Sequence, residues 1–158
     1  MLNAFFANSR FLQERFLIVP LLYGSLGLQY RTGEDLGADD IDILIPGAFV
    51  KDRWDEFRKA LEERGYRLTD AHEHEFEKDG VRFSYAQIEG LEEFAGVRPD
   101  EIEEIEEGGC RFKLLDLAQY LLVYEASAKD GYRIEVREKK DGEKISFIRE
   151  RLNKRENG

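Results

Sequence analysis

The segment Asp40–Ile45 constrains the fold most, because polar and apolar side chains alternate from its first residue. Successive side chains of a β-strand point to opposite faces, so Asp40 and Asp42 share one face and the three isoleucines share the other. The isoleucine face needs an apolar cover, and the amphipathic pattern of residues 54–64 predicts a helix that supplies it. We therefore expect a sheet with one face under helices and one open, acidic face.

Other local patterns predict the elements around this strand. Apolar residues at helical spacing predict helices over 3–15, 26–30, 54–64, 116–127 and 142–154. Continuous or alternating apolar runs predict strands over 17–23, 40–45, 66–69, 72–78 and 81–88. Asp79-Gly80 separates the last two strands and is typical of a two-residue hairpin turn, in which the numbers of paired residues sum to 159. This register places Glu75 opposite Ser84 on the polar face.

The C-terminal half gives weaker signals. Residues 99–109 are nearly all acidic and are interpreted as a solvated helix or loop. Around Tyr132, strand, helix and coil all remain open. At 158 residues, the chain is predicted to form a single α+β domain. This domain would have a small mixed sheet with helices on one face, a motif-bearing core at 17–88 and a C-terminal helical part at 110–158.

Composition narrows the classes of partner and the compartment. Thirty-four acidic and 24 basic residues give a net charge of −10, which argues against a broad nucleic-acid surface and against binding to an anionic membrane. The apolar run at 16–23 is far shorter than the roughly 20 residues that cross a bilayer. The single cysteine, Cys110, excludes an internal disulfide, and we expect a cytoplasmic protein.

Two features that bear chemistry lie on neighbouring predicted elements. The turn Gly24-Ser25-x-Gly27 offers backbone N–H groups and a hydroxyl to phosphate oxygens at the start of a helix. Asp40 and Asp42 have Cα atoms about 7 Å apart on one strand face, close enough for their carboxylates to bridge two Mg²⁺ ions. Together these features predict a site for a divalent cation, Mg²⁺ or Mn²⁺, and a nucleoside triphosphate.

The order of these motifs resembles a known family. Leu22-Tyr23-Gly24-Ser25, a spacer, and Asp40-Ile41-Asp42-Ile43-Leu44 are similar to the signature of the nucleotidyltransferase superfamily with the DNA polymerase β-like fold. Among its subgroups, the chain looks nearest to the minimal and the antibiotic-modifying members. The resemblance implies Mg²⁺-dependent transfer of a nucleoside monophosphate from a nucleoside triphosphate to an unknown small-molecule or protein acceptor. It also implies pairing with a second copy or with a helical partner protein.

The resemblance assigns roles to individual residues. Asp40 and Asp42 would hold the metal, and Gly24, Ser25 and Gly27 would bind the nucleotide. Active members carry a third carboxylate on a later strand, where this chain has Ser84, which is a poor metal ligand and no general base.

The serine leaves two readings open. Either Glu75, across the hairpin from Ser84, supplies the missing catalytic carboxylate, or the chain is an inactive member of the fold that binds nucleotide or another protein.

Overall fold

The computed structural model describes the backbone of residues 1–129 and 134–157, and the side chains of 1–129 and 142–155. Within these ranges the α-helices are α1 Leu2–Phe16, α2 Gly24–Thr32, α3 Trp54–Glu63, α4 Gly90–Ala95, α5 Leu117–Ala128 and α6 Ile134–Asn157. The strands are β1 Leu21–Tyr23, β2 Ile41–Ile45, β3 Arg67–Asp70, β4 Glu75–Lys78, β5 Val81–Gln87, β6 Glu103–Glu107 and β7 Cys110–Leu114. The mixture of helices with a mixed sheet confirms the predicted α+β class.

The seven strands form one sheet in the order β3-β4-β5-β2-β1-β7-β6. β2 lies at its centre, antiparallel to β1 and parallel to β5, while β1 is parallel to β7. The hairpin register is confirmed, because Glu75 pairs with Ser84 and Phe76 pairs with Phe83. Asp79 and Gly80 both have positive φ angles, of 52° and 79°, as a type I′ turn requires.

The described chain separates into two compact units. The first contains Met1–Glu89 and Glu103–Leu114, and so holds the whole sheet. The second contains Gly90–Ile102 and the chain from Leu115 onward. In the second unit, Asp116 and Gln119 form a reciprocal capping box that starts α5, with N–H···O distances of 2.8 and 3.0 Å.

Aromatic side chains join the helices of the first unit to one face of the sheet. Phe5 of α1 meets Phe112 of β7 edge to face, and Phe57 of α3 meets Tyr85 of β5 in the same way, each pair with ring centroids 5.1 Å apart. The isoleucines of β2 are fully buried on this face. Burying each large side chain contributes about 1.5–3 kcal/mol, so this face is the core of the unit.

A buried polar contact lies within this core. The Asn8 amide of α1 donates to the Tyr85 hydroxyl over 2.7 Å. Burial raises the pKa of Tyr85 well above its ordinary value, and it also raises the pKa of Tyr66. Both phenols are therefore held in the neutral form, because a phenolate has no water there to solvate it.

Two sequence-based predictions about the chain's course need correction. The prediction of a solvated helix or loop at 99–109 is wrong, because Glu103–Glu107 forms strand β6, paired antiparallel to β7. Consequently, the part from 110 onward is not wholly helical, since Cys110–Leu114 belongs to the sheet. Ile105 faces Phe112 on the covered face, while Arg111 pairs with two of the glutamates, so the acidic residues are compatible with a strand.

The remaining differences concern boundaries. The strand predicted over 17–23 is shorter and begins at Leu21, because α1 ends in a left-handed Leu17 with φ 57°. Pro20, which lacks an N–H donor, then precedes the strand. The backbone is helical from Ile134, whereas Tyr132 lies outside the described residues.

Candidate functional site

The end of β1 and the start of β2 lie side by side. The antiparallel register pairs Tyr23 with Asp42, so the next residue, Gly24, lies beside the Asp42 side chain. Gly24 has a φ of 66°, and a Cβ atom placed on it would be 3.2 Å from both Cβ and Cγ of Asp42 and would overlap its Oδ2. Only glycine admits the carboxylate at this distance without displacing it.

This contact places a carboxylate at the beginning of a helix. Gly24 and Ser25 are the first two residues of α2, and the preceding residue, Tyr23, makes no side-chain capping bond. The N-terminal N–H groups of a helix carry partial positive charge, so the half-buried Asp42 lies in a favourable field. The predicted convergence of the Gly-Ser turn with the acidic strand therefore exists at Asp42.

Asp40 lies in a bend immediately before β2 and is half-buried. Its neighbour Asp39 is exposed and reaches Arg82 of β5 over 3.8 Å. The loop leading to Asp40 is bound to α2 by Gln29, whose side-chain oxygen accepts the backbone N–H groups of Leu36 and Ala38. No local sequence pattern predicts these Gln29 bonds, because hydrogen bonds between a loop backbone and a side chain have no characteristic spacing.

Ser84 and Glu75 extend the row of polar residues away from Asp42. Ser84 is the partner of Asp42 in the parallel β2–β5 pair, and Glu75 is the partner of Ser84 in the β4–β5 hairpin. However, the Thr69 hydroxyl of β3 lies 3.3 Å from the Glu75 carboxylate and 3.1 Å from the Glu75 backbone oxygen, and these two acceptors share its one proton. The side chain of Glu75 thus contacts the strand on the far side of β4 from Ser84.

The acidic residues do not form a complete metal cage. Across the described part of the chain, no three His, Cys, Asp or Glu side chains are grouped so that they could hold one ion. The structure brings Asp42 to Gly24 and Ser84 to Asp42, but it does not gather Asp40, Asp42 and Glu75 around one point. Gly27 is buried in α2, and Ser25 is half-buried at the helix start.

A cavity of the first unit lies away from the predicted site residues. Its volume is about 680 Å³, and it lies between the start of α1 and the later part of α2 with the loop that follows. None of the predicted site residues lines it. The Gly24-Ser25 turn and Asp42 therefore lie outside this cavity.

The fold and this site define an α+β protein with an acidic strand beside a glycine-opened helix. Over 146 residues the chain is 40% identical to the uncharacterized protein YnaI of Bacillus subtilis strain 168, and the match covers 92% of this chain and 94% of that relative. The chain therefore belongs to the YnaI family. No model of a known protein family matches it. No solved structure matches it either.

In residues 1–129 and 134–157, no helix combines the length with the apolar character needed to traverse a bilayer. The longest helix, α6, has a charged residue at most of its positions between Glu135 and Lys144.

Proposed function

We propose that this chain binds a nucleoside triphosphate with Mg²⁺ and transfers its nucleoside monophosphate to a small-molecule or protein acceptor, as the nucleotidyltransferase resemblance implies. One observation carries the proposal: at Gly24, the first residue of α2, the Asp42 carboxylate of β2 fills the space that a Cβ atom would take. A helix start next to a carboxylate supplies donors for phosphate and an oxygen ligand for a cation.

The residues present fit a hard divalent cation. Carboxylate oxygens are the ligands that Mg²⁺ and Mn²⁺ prefer, and Mg²⁺ keeps several waters, so two aspartates suffice together with phosphate oxygens. Asp42 and Asp40 would hold the ion, which when bound would offset negative charge on the phosphates. Ser25 and the first N–H groups of α2, which begins at Gly24, would bind phosphate oxygens beside the Asp42 carboxylate. Gly27, the third residue that the resemblance assigns to nucleotide binding, is buried in α2.

A non-catalytic nucleotide-binding protein is the second candidate, and two observations favour it. Ser84 occupies the position beside Asp42 where active members have an acid, and a serine hydroxyl is a weak metal ligand and no general base. Glu75, the substitute expected from the hairpin register, is bound to Thr69.

A transfer assay tests the first candidate. The wild-type chain is incubated with Mg²⁺, each of ATP, GTP, CTP and UTP, and a set of small-molecule and protein acceptors, and the products are weighed by mass spectrometry. We expect an acceptor heavier by one nucleoside monophosphate, lost in Asp42→Asn and kept in Asp39→Asn. Asp39 is a matched control, because it is an aspartate next to Asp40 in the sequence and its side chain is largely exposed.

The Ser84→Asp variant separates the two candidates. If the chain is an inactive member, the wild type binds nucleotide without transferring it, and Ser84→Asp gains transfer. If Glu75 is the third acid, the wild type transfers and Glu75→Gln abolishes transfer while nucleotide binding persists. Nucleotide binding absent from every variant would contradict both candidates.

The proposal extends to location and partners. A cytoplasmic location is consistent with the use of nucleoside triphosphates and with a buried Cys110 that forms no disulfide. A second copy or a helical protein is the partner that the family resemblance implies. Size-exclusion chromatography with light scattering tests for pairing with a second copy, because a dimer has twice the chain mass of 18.4 kDa.

A further inference from the structure

Gln29 connects the helix of the site to the loop before the acidic strand. Its Oε1 atom accepts the N–H of Leu36 over 2.8 Å and the N–H of Ala38 over 2.9 Å. Both donors belong to the irregular segment between α2 and β2, and Ala38 is two residues before Asp40. One side-chain oxygen thus satisfies two backbone donors in the segment that carries Asp40.

The Gln29 bonds connect the segment before Asp40 to the helix that begins with Gly24 and Ser25. Ser25 and Gln29 are one turn apart on the same helix, so they move together as a rigid element. On the other side of Asp40, Ile41 enters β2 and is fixed in the sheet. Two further bonds lie in this loop: the Gly37 N–H donates to the exposed Asp35, and the Glu34 N–H donates to the Thr32 hydroxyl at the end of α2.

We propose that Gln29 is a positioning residue for the cation site, holding Asp40 at the distance from the Gly24-Ser25 turn that cation binding needs. The inference rests on the proposed function, since it assigns a role toward the same cation. Replacing a residue that holds a metal ligand in position, without itself binding the ion, typically changes the metal affinity by about 10- to 100-fold. Gln29 contacts neither the ion nor the nucleotide in this proposal, so it is not a catalytic residue.

Binding of Mn²⁺ alone, followed by the paramagnetic signal of the free ion, tests this role. We expect Gln29→Leu to weaken Mn²⁺ binding about tenfold, because it removes the acceptor and keeps a similar volume. Gln29→Glu should retain affinity within about threefold, because a carboxylate oxygen accepts the same two N–H groups. The matched control is Gln13→Leu, which removes a glutamine oxygen that accepts the Arg111 N–H over 3.1 Å, elsewhere in the same unit.

A second measurement separates positioning from general loss of structure. Amide hydrogen exchange at Leu36 and Ala38 should accelerate in Gln29→Leu and not in Gln13→Leu. Wild-type affinity for Mn²⁺ in Gln29→Leu, with faster exchange at both amides, would overturn the role of Gln29 and leave the proposed function intact. Absence of Mn²⁺ binding in the wild type would overturn the role of Gln29, whereas the proposed function, in which phosphate oxygens complete the ligands of the ion, is tested by nucleotide titration with Mg²⁺. Equal weakening in Gln13→Leu would also overturn the role, because the effect would then follow from lost stability.

Discussion

Replacing Gly24 with alanine tests the contact on which the site depends. Alanine at a φ of 66° costs about 1–2 kcal/mol, because its Cβ approaches the following carbonyl oxygen. The same Cβ would overlap the Asp42 carboxylate, and forcing extra atoms into a filled space costs a further 1–3 kcal/mol, roughly. We therefore expect Gly24→Ala to lower the free energy of unfolding by about 2–5 kcal/mol.

Gly33 supplies the matched control for this substitution. It has a similar φ of 76°, but a Cβ there meets nothing within 4 Å, so Gly33→Ala should cost only the backbone part, about 1–2 kcal/mol. Urea unfolding followed by circular dichroism gives both values. The reasoning is refuted if Gly24→Ala costs no more than Gly33→Ala.

A double-mutant cycle identifies the atom responsible. Asp42→Ala removes the carboxylate that a Cβ at Gly24 would overlap, so Gly24→Ala should cost less in that background by about 1 kcal/mol or more. If the two substitutions are additive, the Asp42 carboxylate does not occupy the space beside Gly24 in solution.

Three further predictions concern stability. Burial raises the pKa of Tyr85, so its contribution to the free energy of unfolding should be constant below about pH 9.5 and fall above pH 10, because the unfolded state loses its phenolic proton first. Tyr85→Phe should reduce that fall by up to about 1.4 kcal/mol per pH unit in urea titrations. An unchanged slope would contradict this expectation. Phe112→Ala should lower the free energy of unfolding by about 3–5 kcal/mol, whereas the same change at the 44% exposed Phe94 should lower it by under about 1 kcal/mol. Equal shifts of the thermal unfolding midpoint in the two variants would be inconsistent with the core described. Asp116→Ala should cost about 1 kcal/mol through loss of the α5 capping box, and Asp116→Asn should restore most of it in the same melts.

Local sequence signals predicted the elements that local chemistry determines. Asp79-Gly80 fixed both the turn and the register of β4 and β5, since its two positive φ angles are intrinsic to the turn type. The helical spacing at 54–64 gave α3, which spans Trp54–Glu63. These patterns depend on near neighbours, so they are visible without the rest of the fold.

Strand pairing between distant segments was not predictable from the sequence. The acidic composition of Glu103–Glu107 concealed a strand, because its stability comes from pairing with β7 and from Ile105 on the core side. The Gly108-Gly109 turn was the signal that separates the two strands, and both residues have positive φ. The parallel pairing of β1 with β7 joins residues about ninety positions apart, and no local pattern predicts it.

The candidate site was predictable only where local patterns determine it. Alternation along β2 indicated the side of the sheet that Asp42 occupies, and the hairpin register correctly placed Glu75 opposite Ser84. The direction of the Glu75 carboxylate depends on Thr69 of β3, which a β4–β5 register does not include. The Gln29 bonds likewise depend on how a loop folds back on its own helix.

Calorimetric titration of nucleoside triphosphates in the presence of Mg²⁺ tests the central claim most directly. Each of ATP, GTP, CTP and UTP is titrated at two temperatures, so that an enthalpy that happens to be zero at one temperature is detected at the other. We predict saturable heat with at least one nucleotide in the wild type and in Asp39→Asn, and none in Asp42→Asn. Absence of heat for all four nucleotides in the wild type at both temperatures, or equal binding by Asp42→Asn, would contradict the account.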